Sequence, residues 1–220
     1  MPNTSVRAVF WDFGGVILSS PFDAFNAYEA EAGLPRDFIR RINSTNPDSN
    51  AWSQLERSAI SIEAFCDLFE EEGRALGHEV DARQVLSRLS GDVRPQMVAA
   101  LKRIKPHYAM ACLTNNVRTG AGPGMARSAE KQRQIDAIMT LFDEVIESSK
   151  VGVRKPEPDF YRMACEIMQV SPENVVFLDD LGINLKPARA MGMRTIKVSG
   201  PEQALADLED LLDMSLRDSP

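Results

Sequence analysis

Val6-Arg7-Ala8-Val9-Phe10-Trp11-Asp12-Phe13-Gly14-Gly15-Val16 is an apolar, β-prone run that ends on a carboxylate and breaks at once into two glycines. A strand with almost no polar alternation suits a parallel sheet covered on both faces. Ligands of open α/β sheets bind at the carboxyl ends of such strands. Asp12 is therefore placed at a sheet edge, with a tight turn behind it.

Four further stretches read as strands: Tyr108 to Leu113, a weaker one over Glu144 to Glu147, Val175 to Leu178, and Arg194 to Val198. Amphipathic segments lie between them. Pro95 opens one with Met97, Val98, Leu101 and Ile104, and Pro156 opens another with Phe160, Met163, Ala164, Ile167 and Met168. Proline at the first helical position is a start signal. Leu185 to Met191 reads as a short helix stopped by Gly192, and Pro201 to about Leu216 as the last helix. Alternating strands and helices imply an α/β fold with a doubly wound, Rossmann-like parallel sheet.

The stretch from Ser19 to Gly91 is too long for a single crossover. It reads as helical. Phe22, Phe25 and Tyr28 share one face, and Phe65, Leu68, Phe69 and Leu76 another; Asp81 and Gln84 resemble a capping box before Val85. We assign 1–18 and 93–220 to the core and 19–92 to an α-helical cap inserted after the first strand.

Composition narrows the function. The 220 residues are 44% hydrophobic and 26% charged, with a net charge of −7. That is ordinary for a globular chain and excludes a broad nucleic-acid or anionic-membrane footprint, which needs clustered Lys and Arg. Three cysteines with no CxxC spacing imply buried free thiols. No apolar stretch reaches the roughly 18 residues of a membrane span. Asp12 interrupts the only N-terminal apolar run, so no signal peptide is read and a cytoplasmic protein is expected. A monomer or homodimer is equally compatible with the residues.

Two motif matches fail on context. Gly120-Ala121-Gly122-Pro123-Gly124 has the wrong spacing for a dinucleotide loop, so the stretch from about Val117 to Gln132 is read as a mobile loop. Asp12-Phe13-Gly14 mimics a kinase tripeptide without its companion motifs.

Two other strands end as the first does, on polar residues, and a lysine at a helix start joins them. Thr114-Asn115 closes the second strand with a hydroxyl and an amide, suited either to phosphate oxygens or to a plain turn. Lys155 precedes Pro156, and so faces the positive end of a helix dipole, a poor place unless an anion intervenes. Asp179-Asp180 closes a fully apolar strand. Adjacent carboxylates there repel each other, and a divalent cation relieves the repulsion.

These segments resemble the haloacid dehalogenase superfamily, in particular its phosphatase-type members related to the N-terminal domain of soluble epoxide hydrolase. The matching stretches are Phe10 to Val16, Leu113 to Asn116, Val151 to Pro158 and Val175 to Arg189. The resemblance implies that Asp12 is a nucleophile that forms an aspartyl-phosphate. It implies Mg2+ held by Asp12, Asp180 and the Gly14 carbonyl, with Asp179 in support. Thr114 and Asn115 would bind the phosphoryl group of a small phosphorylated substrate, and Lys155 would neutralise it. Such covalent catalysis splits one difficult displacement into two, and cationic groups stabilise the equatorial oxygens.

One position departs from the family pattern. Phosphatases of this type carry a second aspartate two residues after the nucleophile, as leaving-group acid and then base. Here the residue is Gly14. General acid–base help is worth about 10²–10⁴-fold in rate, or roughly 3–5 kcal/mol. A good leaving group, a substitute from the cap (His78, Glu63, Arg57 or Trp52) or low activity would each reconcile the gap. A 2-haloacid dehalogenase, which also lacks that aspartate, and a non-catalytic phosphometabolite-binding module are the competing readings.

Overall fold

The computed structural model describes residues 5–117 and 128–217. Strand β1 is Ala8–Trp11. Helices α1 (Pro21–Glu31), α2 (Phe38–Ser44), α3 (Ala51–Glu56), α4 (Ile62–Ala75) and α5 (Ala82–Leu86) follow it without a strand between them. Then come α6 (Pro95–Ile104), β2 (Ala109–Thr114), α7 (Ala129–Met139), β3 (Glu144–Glu147) and the single turn α8 (Ser148–Val151). The chain continues as α9 (Pro158–Ile167), β4 (Val175–Asp179), α10 (Gly182–Ala190), β5 (Arg194–Lys197) and α11 (Pro201–Leu212).

The strands form one parallel sheet in the order β3-β2-β1-β4-β5. Alternate residues of each strand feed opposite faces. Val9, Trp11, Met110, Cys112, Val176 and Leu178 meet α6, α7 and α11. Ala8, Phe10, Ala111, Leu113, Val175 and Phe177 meet α9 and α10. Both faces are dry, which is why these strands read as unbroken apolar runs. Each large side chain so buried contributes roughly 1.5–3 kcal/mol.

Helices α1 to α5 have their own apolar cluster, centred on Phe25, Phe38, Ile39, Phe65 and Phe69. Phe65 stacks on Phe69 at 5.1 Å, and Trp52 meets Phe65 edge-on at 5.4 Å. Side-chain caps punctuate the short helices: Asn50 Oδ1 accepts from Ser53 N at 2.8 Å, and Asp81 Oδ1 from Gln84 N at 3.0 Å, which is half of the expected box, since Asp81 N donates to the Tyr28 hydroxyl and not to Gln84. The chain leaves and re-enters the core side by side, with Ser19 N bonded to Asp92 O and Arg94 N to Ile17 O.

Several boundaries differ from expectation. The helix assigned to Pro156 begins at Pro158. Glu157 precedes a proline and is driven out of the helical region, so the start moves two residues on; the Lys155–Pro156 peptide is cis. The last helix stops at Leu212, because Asp213 turns left-handed and folds Leu216 back into the core. Leu68 lies off the buried Phe65–Phe69 stripe and is exposed. Helix α7 begins inside the stretch read as a loop, while residues 118–127, with the glycine run at 120–124, lie outside the described residues. All three cysteines are free and buried. Among the described residues no helix is long and apolar enough to cross a membrane.

Candidate active site

The sheet order reverses about β1: the chain runs outward through β2 and β3 on one side and β4 and β5 on the other. The crevice at such a switch point is where open α/β sheets bind ligands. Asp12 follows β1, Thr114 ends β2 and Asp179 ends β4, so all three emerge at the same edge.

A lysine ties this edge together. Lys155 is 1% exposed, and its Nζ lies 2.7 Å from Asp12 Oδ1 and 2.8 Å from Asp179 Oδ2. The anions that a lysine at this position calls for are thus two carboxylates. Burial alone would pull its pKa down, but Asp12 and Asp179 outweigh that and raise it. Asp12 is pushed well up by burial, against the pull of Lys155 and with the added push of Asp179 and Asp180. Asp180 is pushed up to about 6, by burial first and by Asp179 next.

The three aspartates offer oxygens that all lie within 4.8 Å of one another. Their oxygens are not equally committed. Both oxygens of Asp179 accept from Asn184 Nδ2 at 3.0 Å, one of them also from Leu181 N, and the other from Lys155. Asp12 Oδ1 accepts from Phe13 N at 2.7 Å as well as from Lys155, leaving Oδ2 without a partner among the described residues. Asp180 accepts from the Ser20 hydroxyl at 3.2 Å. One ammonium against three carboxylates leaves excess negative charge, and that donor set fits a hard divalent cation.

Gly15 is what lets the turn close on this cluster. Its φ is +75°, and a β-carbon there would meet the Asp180 carboxylate at 2.2 Å. Arg94 Nη1 holds the turn by donating to the Gly15 carbonyl at 2.7 Å. Gly14 has no heavy atom within 4 Å of an added β-carbon and opens into the cavity.

That cavity holds about 300 Å³ between the sheet edge and the helical insert. Asp12, Gly14, Asp180 and Lys155 make its polar floor, and Phe22, Phe25, Trp52 and Leu89 an apolar wall. Asn115 also lines it; its Oδ1 accepts from Lys155 N and its Nδ2 donates to Lys155 O, both at 2.9 Å. Thr114 is buried and does not line the cavity; its hydroxyl makes only a 3.4 Å contact to the Asn115 carbonyl. Of the insert residues weighed as a substitute acid, only Trp52 is at the cavity. Arg57 pairs with Glu157, Glu63 lines a separate hollow, and His78 is exposed and edge-on to Phe38.

The family model for haloacid dehalogenase-like hydrolases matches residues 6–192. The chain belongs to that family. It is 32% identical to acyl-CoA dehydrogenase family member 10 and to bifunctional epoxide hydrolase 2, both of Mus musculus, over 96% and 98% of its own length. It spans only 20% and 40% of those two proteins. It is 28% identical to a phosphatase of Mycobacterium tuberculosis, over 88% of each chain. Among solved structures, a HAD-family enzyme of Bacteroides thetaiotaomicron in complex with magnesium and inorganic phosphate matches with a TM-score of 0.57 at 19% identity, covering 87% of this chain and 93% of that one. A dehalogenase with an intermediate complex matches at 0.67 and 19% identity, over 96% and 99%. The two structures share the fold of this HAD-like hydrolase.

Four residues of this HAD-like hydrolase escaped the sequence reading. Asn184 lies inside the matched stretch, in the first turn of α10, where an amide can reach back to the strand end; that spacing was the available signal. Ser20 and Glu56 belong to the insert, and Arg154 acquires a partner only from it. No local pattern marks them.

Proposed function

We propose that this HAD-like hydrolase is a magnesium-dependent phosphatase that acts on a small phosphorylated metabolite. The observation that carries the reading is the buried Lys155 ammonium between Asp12 and Asp179, with Asp180 completing a carboxylate cluster on the floor of one cavity. An Asp12 oxygen would attack phosphorus, forming an O–P bond as the bond to the leaving-group oxygen breaks. Water would then cleave the aspartyl-phosphate, release phosphate and regenerate the carboxylate. Lys155 faces the charge that gathers on the phosphoryl oxygens. Asn115 would border the phosphoryl site and fix the Lys155 backbone, whereas Thr114, buried off the cavity, would support it only through the end of β2. Asp12, Asp180 and the Gly14 carbonyl, supported by Asp179, would hold magnesium, which when bound supplies Lewis-acid neutralisation of the phosphoryl oxygens.

Helices α1 to α5, within 19–92, would serve as the cap, and their apolar wall suits an uncharged part of the substrate. Gly14 supplies no proton, which favours substrates with good leaving groups. The matched phosphatase of Mycobacterium tuberculosis supports this reading over dehalogenation, as does the Asp180 carboxylate, which attack on carbon would not need.

The test is phosphate release from p-nitrophenyl phosphate and a sugar 1-phosphate. Turnover is expected with magnesium, and none with EDTA or in Asp12→Asn. Halide release from 2-haloacids in EDTA would replace the reading with a dehalogenase. Vanadate binding without turnover of any phosphate ester would replace it with a binding module.

A further inference from the structure

Three consecutive residues at the end of α3 reach from the helical insert into the core loops. Arg57 pairs with Glu157 at 2.7 Å, and Ser58 Oγ donates to the Ser149 carbonyl at 3.0 Å. Ser58 is left-handed, with φ of 56°, a conformation that a non-glycine residue keeps only when its surroundings hold it there. These contacts dock the insert. The third residue, Glu56, does something else.

Glu56 is 8% exposed and lines the cavity. One carboxylate oxygen accepts from Trp52 Nε1 at 3.0 Å. The other accepts from Arg154 Nε at 2.6 Å and from Asn115 Nδ2 at 3.1 Å. An amide nitrogen has two hydrogens. Asn115 gives one to the Lys155 carbonyl and the other to Glu56. Arg154 is the residue before Lys155. Glu56 therefore grips the Lys155 backbone twice, through the amide clamped on it and through its covalent neighbour.

A lysine carries its charge on a flexible four-carbon stem, so its backbone decides where that charge starts. Here the stem ends 2.7 Å from Asp12. We infer that Glu56 is a positioning residue: a carboxylate of the insert that sets the Lys155 loop for phosphoryl binding, so that docking of the insert and competence of the phosphoryl site are coupled. The inference rests on the phosphatase reading. Glu56 also invites the role left open by Gly14. Three donors already occupy its two oxygens, and the geometry assigns it to orientation rather than proton delivery.

Arg57→Gln supplies an internal control, because it removes a neighbouring insert–core ion pair without touching Asn115, Arg154 or Lys155. Glu56→Gln and Arg57→Gln are compared in the full chain with magnesium, by competitive inhibition with inorganic phosphate and vanadate and by kcat and KM for p-nitrophenyl phosphate. Glu56→Gln is expected to weaken phosphate and vanadate binding by ~10-fold or more and to lower kcat. Arg57→Gln is expected to stay within about 2-fold for both. Arg154→Gln breaks one of the two grips, the same 2.6 Å pair, from the core side, should reproduce part of the loss, and serves if Glu56→Gln does not fold. The double variant should be no worse than Glu56→Gln alone, since that variant already removes the pair with Arg154. Equal effects of Glu56→Gln and Arg57→Gln, or lowered stability of Glu56→Gln with unchanged phosphate binding, would overturn the inference alone. A wild type that binds neither phosphate nor vanadate would overturn it together with the phosphatase reading.

Discussion

A β-carbon on Gly15 would lie 2.2 Å from Asp180 Oδ2, well inside van der Waals contact. The turn after β1 thus reserves the space that the second carboxylate occupies. Gly15→Ala has to push that carboxylate away and adopt φ of +75° with a side chain. Displacing a site group by about 1 Å costs on the order of 10²-fold in rate, and the backbone strain adds about 1 kcal/mol or more of destabilisation. Magnesium-dependent kcat/KM and thermal unfolding of the variant measure the two. Retention of near wild-type turnover would show that the Asp180 position is dispensable.

Lys155→Met should cost far more stability than any surface charge change. It leaves Asp12 and Asp179, both buried, facing each other without the cation between them. Breaking a buried pair from one side typically costs ~3–5 kcal/mol. Arg162→Met, which removes an exposed arginine paired with the exposed Asp159, should cost about 0–1 kcal/mol. Urea denaturation of both variants gives the comparison, and similar midpoints would mean that Lys155 is not holding the cluster together.

Magnesium should stabilise the folded chain, because the excess negative charge of the aspartate cluster is relieved by a cation that the unfolded chain does not bind. At one hundred times its dissociation constant the gain is about 2.7 kcal/mol. Thermal unfolding with and without magnesium reads it directly. Asp180→Asn should lose most of the shift, and an unchanged shift in that variant would place the ion elsewhere.

The fold was legible where burial is two-sided. β1, β2 and β4 carry continuous apolar runs because helices cover both faces of the sheet. Helix α7 was not, since only Ile135 and Ile138 of its eleven residues are buried and its apolar stripe, completed by Met139, occupies a single turn at its end. At the site, Asp12, Lys155 and Asp180 were legible because each sits at a strand end or beside a proline, where chain direction fixes the side chain. Glu56 was invisible. It meets Arg154 across 98 residues of sequence, and a carboxylate at the end of an amphipathic helix looks like any solvated one until the insert docks.

The tail after α11 supplies a pH-dependent element. Glu209 is held down to about 2, first by the Arg217 guanidinium and next by the Leu216 amide, against an ordinary value of 4.5. A carboxylate whose pKa falls on folding stabilises the fold above its unfolded value, and the stabilisation is lost as pH falls toward the folded one. The window therefore runs from about 4.5 down to about 2. The group is close to solvent, so its share is under ~1 kcal/mol. Wild type should exceed Glu209→Gln in denaturant midpoint at pH 6, and the gap should close by pH 2. A gap that persists at pH 2 would assign the difference to packing instead of ionisation.

Gly14 offers the sharpest chemical test, because the space around it is open. An added β-carbon meets nothing within 4 Å, and the residue lines the cavity two positions after Asp12. The β-carbon of Gly14→Asp therefore displaces no neighbouring atom. If the proton for the leaving group is what the enzyme lacks, the new carboxyl should raise turnover of alkyl phosphates by up to about 10²-fold. It should do little for p-nitrophenyl phosphate or an acyl phosphate, whose leaving groups depart unprotonated. The informative quantity is the slope of log kcat against leaving-group pKa, which should flatten in the variant. A parallel shift of all substrates would mean that Gly14→Asp acts on binding or on the metal, and that the missing acid does not limit the rate.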